Sequence, residues 1–138
     1  MKPPEDVARR LSRDWLAKAE SDVRVCERLL GESAEFAEAI AFHAQQAAEK
    51  SLKALLVARQ VEFPRTHDLE RLLELAALGD GPLADKLANA AELTPYGVEF
   101  RYPGEYAPVS AETAAACVSI ARRVFDEIAG RLREDARP

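Results

Sequence analysis

His43, Gln46, Lys50 and Lys53 fall at i, i+3, i+7 and i+10 of a stretch, from about Ala34 to Arg59, that contains neither glycine nor proline. On an α-helix this spacing gathers an imidazole, an amide and two ammonium groups within about 80° of the circumference. Such a set can neutralise a phosphate with its cations and orient it by hydrogen bonds from the imidazole and amide. A Lys/Glu/Gln stretch is equally an ordinary solvated helix face. His43 bears on the choice, because it projects between the apolar positions Phe36 and Ala47, where an imidazole needs a hydrogen-bond partner or a groove.

Two further groupings carry candidate chemistry. Phe63-Pro64-Arg65-Thr66-His67-Asp68-Leu69 reads as the start of a helix, with Thr66 as its N-cap. Exposed amides at such a start favour an anion, and Arg65 could add a phosphate contact; plain capping uses the same residues. Glu99-Phe100-Arg101-Tyr102-Pro103-Gly104-Glu105-Tyr106 surrounds one guanidinium with aromatics. Arg101 and Tyr102 suit stacking on a base and pairing with phosphate, and an aromatic loop also suits covering one end of a helical bundle.

Metal and nucleophile chemistry find no pattern to rest on. Neither His43 nor His67 follows a Glu three positions earlier, so the Glu-x-x-His pairs of a di-iron bundle are absent. A phosphate-cradling glycine loop, a GxSxG elbow and an HExxH helix are missing as well. No cofactor is implied.

The elements that must position these residues are helices. Trp15, Ala19, Val23, Cys26 and Leu30 recur at helical intervals from about Ser12, with Gly31 placed for a left-handed C-terminal cap. In the second helix Phe36, Ile40, Ala44, Ala47, Ala54 and Ala58 form one apolar stripe while Phe42, Leu52 and Leu56 lie on other faces, which makes that helix central. Leu69, Leu72, Leu73 and Ala76 carry a third helix. Leu83, Leu87, Ala90 and Ala91 carry a shorter fourth that Pro95 ends. Thr94 to Pro108 is irregular, and a last helix runs from a Ser110 cap to about Arg133. No segment alternates with period two. The expected fold is all-α, an up-and-down antiparallel bundle of four main helices plus one short one. It forms one domain over residues 1–138 with a core of about 12–133.

Composition bounds the function. The 138 residues are 48% hydrophobic and 31% charged, too apolar for a disordered chain and of a size for one core. The net charge of -5 excludes a whole-molecule positive field for nucleic acid, so a basic site must be local. Cys26 and Cys117 stand far apart without a CxxC spacing, no run approaches a membrane span, and the start lacks a secretory apolar stretch. These features place the chain in the cytoplasm, away from membranes.

The segment Phe42-His43-Ala44-Gln45-Gln46-Ala47-Ala48-Glu49-Lys50, followed by Leu52-Lys53-Ala54-Leu55-Leu56, resembles the helix-two signature of the HEPN domain family, the higher eukaryotes and prokaryotes nucleotide-binding domains. Thr66-His67-Asp68-Leu69 and Arg101-Tyr102-Pro103 add to the likeness, which covers about Trp15 to Leu132. The resemblance implies an antiparallel helical bundle, usually a homodimer, often paired with a small nucleotidyltransferase in toxin-antitoxin-like systems. Some members are ribonucleases whose signature is an Arg followed after four to six residues by His. Here Arg59 and His67 have seven residues between them and Arg65 and His67 have one. That departure favours a non-catalytic module for nucleotide, RNA or protein, with His43, Gln46, Lys50, Lys53, His67, Arg101 and Tyr102 as its ligand-binding residues. The alternative is a metal-independent endoribonuclease using His43 or His67 as acid and base with Arg65 or Arg101 as phosphate clamp.

Overall fold

Two prolines followed by Glu5 and Asp6 make a favourable helix start, since proline fits the first positions and carboxylates complement the amino-terminal end of the helix dipole. The first helix, α1, accordingly spans Glu5–Leu29 in the computed structural model, several residues earlier than its apolar periodicity alone suggests. The structure describes residues 3–32, 34–97 and 108–137. A 3-10 turn at Ala34–Phe36 leads into α2, Ala37–Ala58. Then come α3 (Leu69–Ala77), α4 (Gly81–Lys86), a 3-10 segment at Ala88–Gly97 and α5 (Ala111–Asp135). No strand occurs among the described residues, so the all-α expectation is met.

Helix α2 is the axis of the molecule. It packs against both long helices and against α3 and the 3-10 segment. Leu52, Leu55 and Leu56 are all essentially inaccessible, as are Ala41, Ala44, Ala47 and Ala48, because neighbours cover it on several sides. The run of alanines lets those neighbours approach closely. Ser12 Oγ donates to Ala54 O at 2.8 Å and Cys26 Sγ to Ile40 O at 3.4 Å, so advancing along α1 means retreating along α2. The two helices are antiparallel. Arg59 at the end of α2 bonds Asp135 at the end of α5, which brings those two carboxyl ends together.

Several boundaries differ from the sequence-based expectation for local physical reasons. The left-handed residue expected at Gly31 is instead Gln60, with φ of 55°, directly after α2. Val61 N reaches Leu56 O at 2.9 Å and Gln60 N reaches Val57 O at 3.0 Å, the paired bonds of a Schellman ending. A hydrogen bond from Gln60 Nε2 to Pro3 O at 2.6 Å holds that residue in place of a glycine. The N-cap of α3 is Asp68, whose carboxylate accepts from Glu70 N, while Thr66 Oγ1 accepts from Asp68 N one step before the helix. Pro95 does not stop the fourth helical region; the 3-10 segment continues through it to Gly97, because proline's fixed φ suits a 3-10 turn.

Gly130 lies inside α5, where glycine lowers helix stability by roughly 1 kcal/mol relative to alanine. A methyl group there would meet only Arg133 Nη2, at an ordinary 3.7 Å. Gly130→Ala should therefore raise stability by about 0.5–1 kcal/mol in urea or thermal unfolding.

Candidate functional site

The polar residues of α2 face two buried carboxylates. Asp22 comes from α1, at a position among Ala19, Val23 and Cys26 that faces the core, and is 7% exposed. Its Oδ1 lies 2.9 Å from His43 Nδ1 and its Oδ2 accepts from Lys50 Nζ at 2.8 Å. Glu49, on α2 itself, is 3% exposed. Its Oε1 lies 2.8 Å from His67 Nδ1 and accepts from Gln45 Nε2 at 3.0 Å, while Oε2 accepts from Lys53 Nζ at 2.9 Å. The site is thus a pair of matching units, each a carboxylate joined to one imidazole and one ammonium.

Burial alone would raise both carboxyls. Hydrogen bonds from His43 and Lys50, with their charges, outweigh it and hold Asp22 below the usual carboxylate range. Gln45, Lys53 and His67 do the same for Glu49. An ionised carboxylate accepts only, so each histidine carries its proton on Nδ1 and turns Nε2 away from the carboxylate. The histidine side chains remain accessible, 33% for His43 and 71% for His67. A ring fixed in this way through Nδ1 presents Nε2 as an acceptor or as the atom that takes up a proton.

Two glutamines extend the Glu49 unit. Gln46 Nε2 donates to Gln45 Oε1 at 2.7 Å, and Gln45 lies fully buried between Glu49 and the His67 carbonyl. Gly97 closes over that amide. A Cβ at Gly97 would stand 2.5 Å from Gln45 Cδ, so the backbone reaches the glutamine only because position 97 has no side chain. Among the described residues no buried side-chain nitrogen or oxygen lacks a partner.

The structure brings together His43, Gln46, Lys50, Lys53 and His67 as the sequence suggests, and it assigns them different surroundings. Lys53 is 7% exposed, with its ammonium 5.5 Å from the Trp15 ring and 5.9 Å from the Phe63 ring, so its charge belongs to the interior. Lys50 is partly accessible. Both lysines are matched by buried carboxylates, which replaces the simple basic groove expected from their spacing. Arg65 is exposed beside the His67 turn. Arg101 and Tyr102 lie outside the described residues. Arg59, the nearer match to a catalytic Arg–His spacing, bonds Asp80 at 3.2 Å and Asp135 at 3.1 Å and so serves the end of the bundle. The amides at the start of α3 are also engaged, Glu70 N by Asp68 and Leu69 N by Thr94 Oγ1.

Sequence reasoning missed Asp22 and gave Glu49 no role. A charged residue on the core face of α1, one position before Val23, was the available signal. For Glu49 it was the i, i+4 series Gln45-Glu49-Lys53 inside an alanine-rich helix. Among the described residues no group of three His, Cys, Asp or Glu forms a metal cage. No helix among them is long and apolar enough to cross a membrane. Cys26, beside this site, has its thiol pushed up to about 12 by burial and by Asp22, so it stays protonated and inert.

The comparisons with known proteins agree on one fold. The HEPN domain model matches residues 12–132. The crystal structure of an archaeal HEPN homologue superposes with a TM-score of 0.69 at 29% identity, over 87% of this chain and 96% of that one. A protein from Thermus thermophilus superposes with a TM-score of 0.66 at 30% identity, over 86% and 96% of the two chains. No curated protein matches the chain.

Two outcomes follow from the buried pairs. Asp22 and Glu49 are held low in the folded chain, so the unfolded chain binds protons first and stability rises with pH. Their contribution is whole above about pH 5, and is lost as pH falls below about 4 through the folded values, read by urea unfolding at successive pH values. At pH 7, Glu49→Gln should cost about 3 kcal/mol because it leaves the Lys53 ammonium buried without a counter-charge, and adding Lys53→Met should restore most of it. Gly97→Ala should cost about 1–3 kcal/mol in the same measurement, through its collision with Gln45.

Proposed function

The chain belongs to the HEPN domain family, and from that premise we propose that it is a non-catalytic module that binds a nucleotide or RNA through its phosphates at the His43, Gln46, Lys50 and His67 face. The observation that carries this reading is the pair of accessible imidazoles, each fixed by a buried carboxylate through Nδ1. A ring held in one direction loses little freedom on binding, and as an imidazolium, with both nitrogens protonated, it donates from Nε2 to a phosphate oxygen, a strong acceptor. Lys50 supplies a partly accessible ammonium beside His43. Lys53 acts from beneath by keeping Glu49 ionised and His67 in place. Arg101 and Tyr102 are proposed, from the sequence, as further phosphate and base contacts.

The engagement of Arg59 with Asp80 and Asp135 supports the non-catalytic version, since that guanidinium is taken up at the end of the bundle. The same two imidazoles favour a second reading, a metal-independent endoribonuclease in which His43 and His67 act as base and acid, with Arg65 or Arg101 holding the phosphate. In either version the protein acts as a homodimer in the cytoplasm and docks a small nucleotidyltransferase, as part of a toxin-antitoxin-like pair.

Titration with ATP and with a short single-stranded RNA tests the proposal. His67→Ala and Lys50→Ala should each weaken binding about 10-fold or more, the usual worth of one charge-assisted hydrogen bond. Absence of binding at millimolar ligand removes the nucleotide version. RNA cleavage by the wild-type chain that disappears in His43→Ala or His67→Ala replaces it with the ribonuclease, and co-purification with the nucleotidyltransferase reports the partner.

A further inference from the structure

A cavity lies at the carboxyl end of α2, lined by residues from the first half of α1 and the end of α5. It has a volume of about 370 Å³ and is lined on its apolar side by Leu16, Ala58, Ala129 and Leu132. That is within the range of small-molecule sites, roughly 300–1,000 Å³. Glu5 is taken by Arg9 at 2.7 Å and Asp135 by Arg59 at 3.1 Å, so the two carboxylates at the rim are each already matched. Arg13 and Arg133 have no hydrogen-bond or ion-pair partner among the described residues and both border the same apolar lining. Ser12, also on the wall, uses its hydroxyl proton on Ala54 O and keeps its lone pairs.

We propose that this cavity is a binding site for a small organic anion with an apolar body, of the medium-chain carboxylate class. The hydrocarbon part would displace water from Leu16, Ala58, Ala129 and Leu132, a gain proportional to the apolar area covered. The head group would pair with Arg13 and Arg133, whose planar guanidinium groups suit a carboxylate's two oxygens. Both features are needed together. A wholly apolar ligand leaves two guanidinium groups unpaired at its edge, and a small inorganic anion leaves the apolar lining wet. The site is independent of the His43 and His67 face, sharing no residue with it.

Calorimetric titration of the full chain with octanoate, against 1-octanol and inorganic phosphate as controls, tests this. Octanoate is expected to bind saturably with one site per chain, and neither control to compete with it at equal concentration. The Arg13→Gln/Arg133→Gln pair should weaken octanoate by about 10-fold or more, as loss of charge-assisted hydrogen bonds does. Ala129→Phe, which fills the cavity without changing charge, should abolish binding, with circular dichroism confirming the helical fold of each variant. Equal affinity for octanol and octanoate, undiminished binding in the arginine pair, or no heat at millimolar octanoate would each overturn the proposal.

Discussion

A carboxylate removed from water must be matched by hydrogen bonds and opposite charge, and Glu49 and Asp22 impose that demand at the centre of this bundle. Glu49 satisfies it with Gln45, Lys53 and His67; Asp22 with His43 and Lys50. Because the partners come from α1, α2 and the segment before α3, the pairs fix how these pieces meet. Sliding α2 along α1 by one turn would separate Lys50 and His43 from Asp22. Apolar packing around α2 has no such directional requirement, since alanine against alanine is nearly the same one turn along. The charged pairs therefore give register to a core whose small side chains would tolerate several registers.

That same requirement prepares the surface. Each carboxylate holds an imidazole by Nδ1, so the fold's internal charge matching presents two oriented rings to the outside. Gln45 and Gly97 extend the arrangement to the 3-10 segment, where the missing side chain at position 97 lets backbone close over the glutamine amide. At the other end, Asp80 repeats the principle with arginines. Arg59 and Arg131 both bond it, at 3.2 and 2.6 Å, and its other oxygen caps α4 through Leu83 N. Burial is opposed there too by those contacts, which hold the Asp80 carboxyl low. The α2–α3–α5 junction is thus closed by one carboxylate, and Arg59 is committed to it.

Much of the fold was legible in the residues alone. Helical periodicity in 12–30, 34–59, 69–76 and 110–133 has a local cause, the 3.6-residue repeat of side chains around the axis, and the four regions are helical in the structure. Ser110 was recognisable as a cap for the same reason, because its hydroxyl acts on Thr113 N within its own turn. Helix ends proved less legible. The start of α1 at Glu5 is steadied by Gln60 reaching Pro3, a contact across the bundle, and the cap of α3 moved to Asp68 where Thr94 could take the neighbouring amide.

What the sequence determined by itself was the helical class, the central place of α2 and the gathering of His43, Gln46, Lys50 and Lys53 on one side of it, since all three depend on spacing along one chain segment. Tertiary structure decided which charges those residues face. Asp22 lies 21 positions from His43 and 28 from Lys50, and Glu49 lies 18 from His67. No spacing rule reaches so far, because such pairings depend on the angle and depth at which helices cross. That decision turned a stripe of apparent positive charge into two neutralised units with open imidazole edges, and sent Lys53 into the interior.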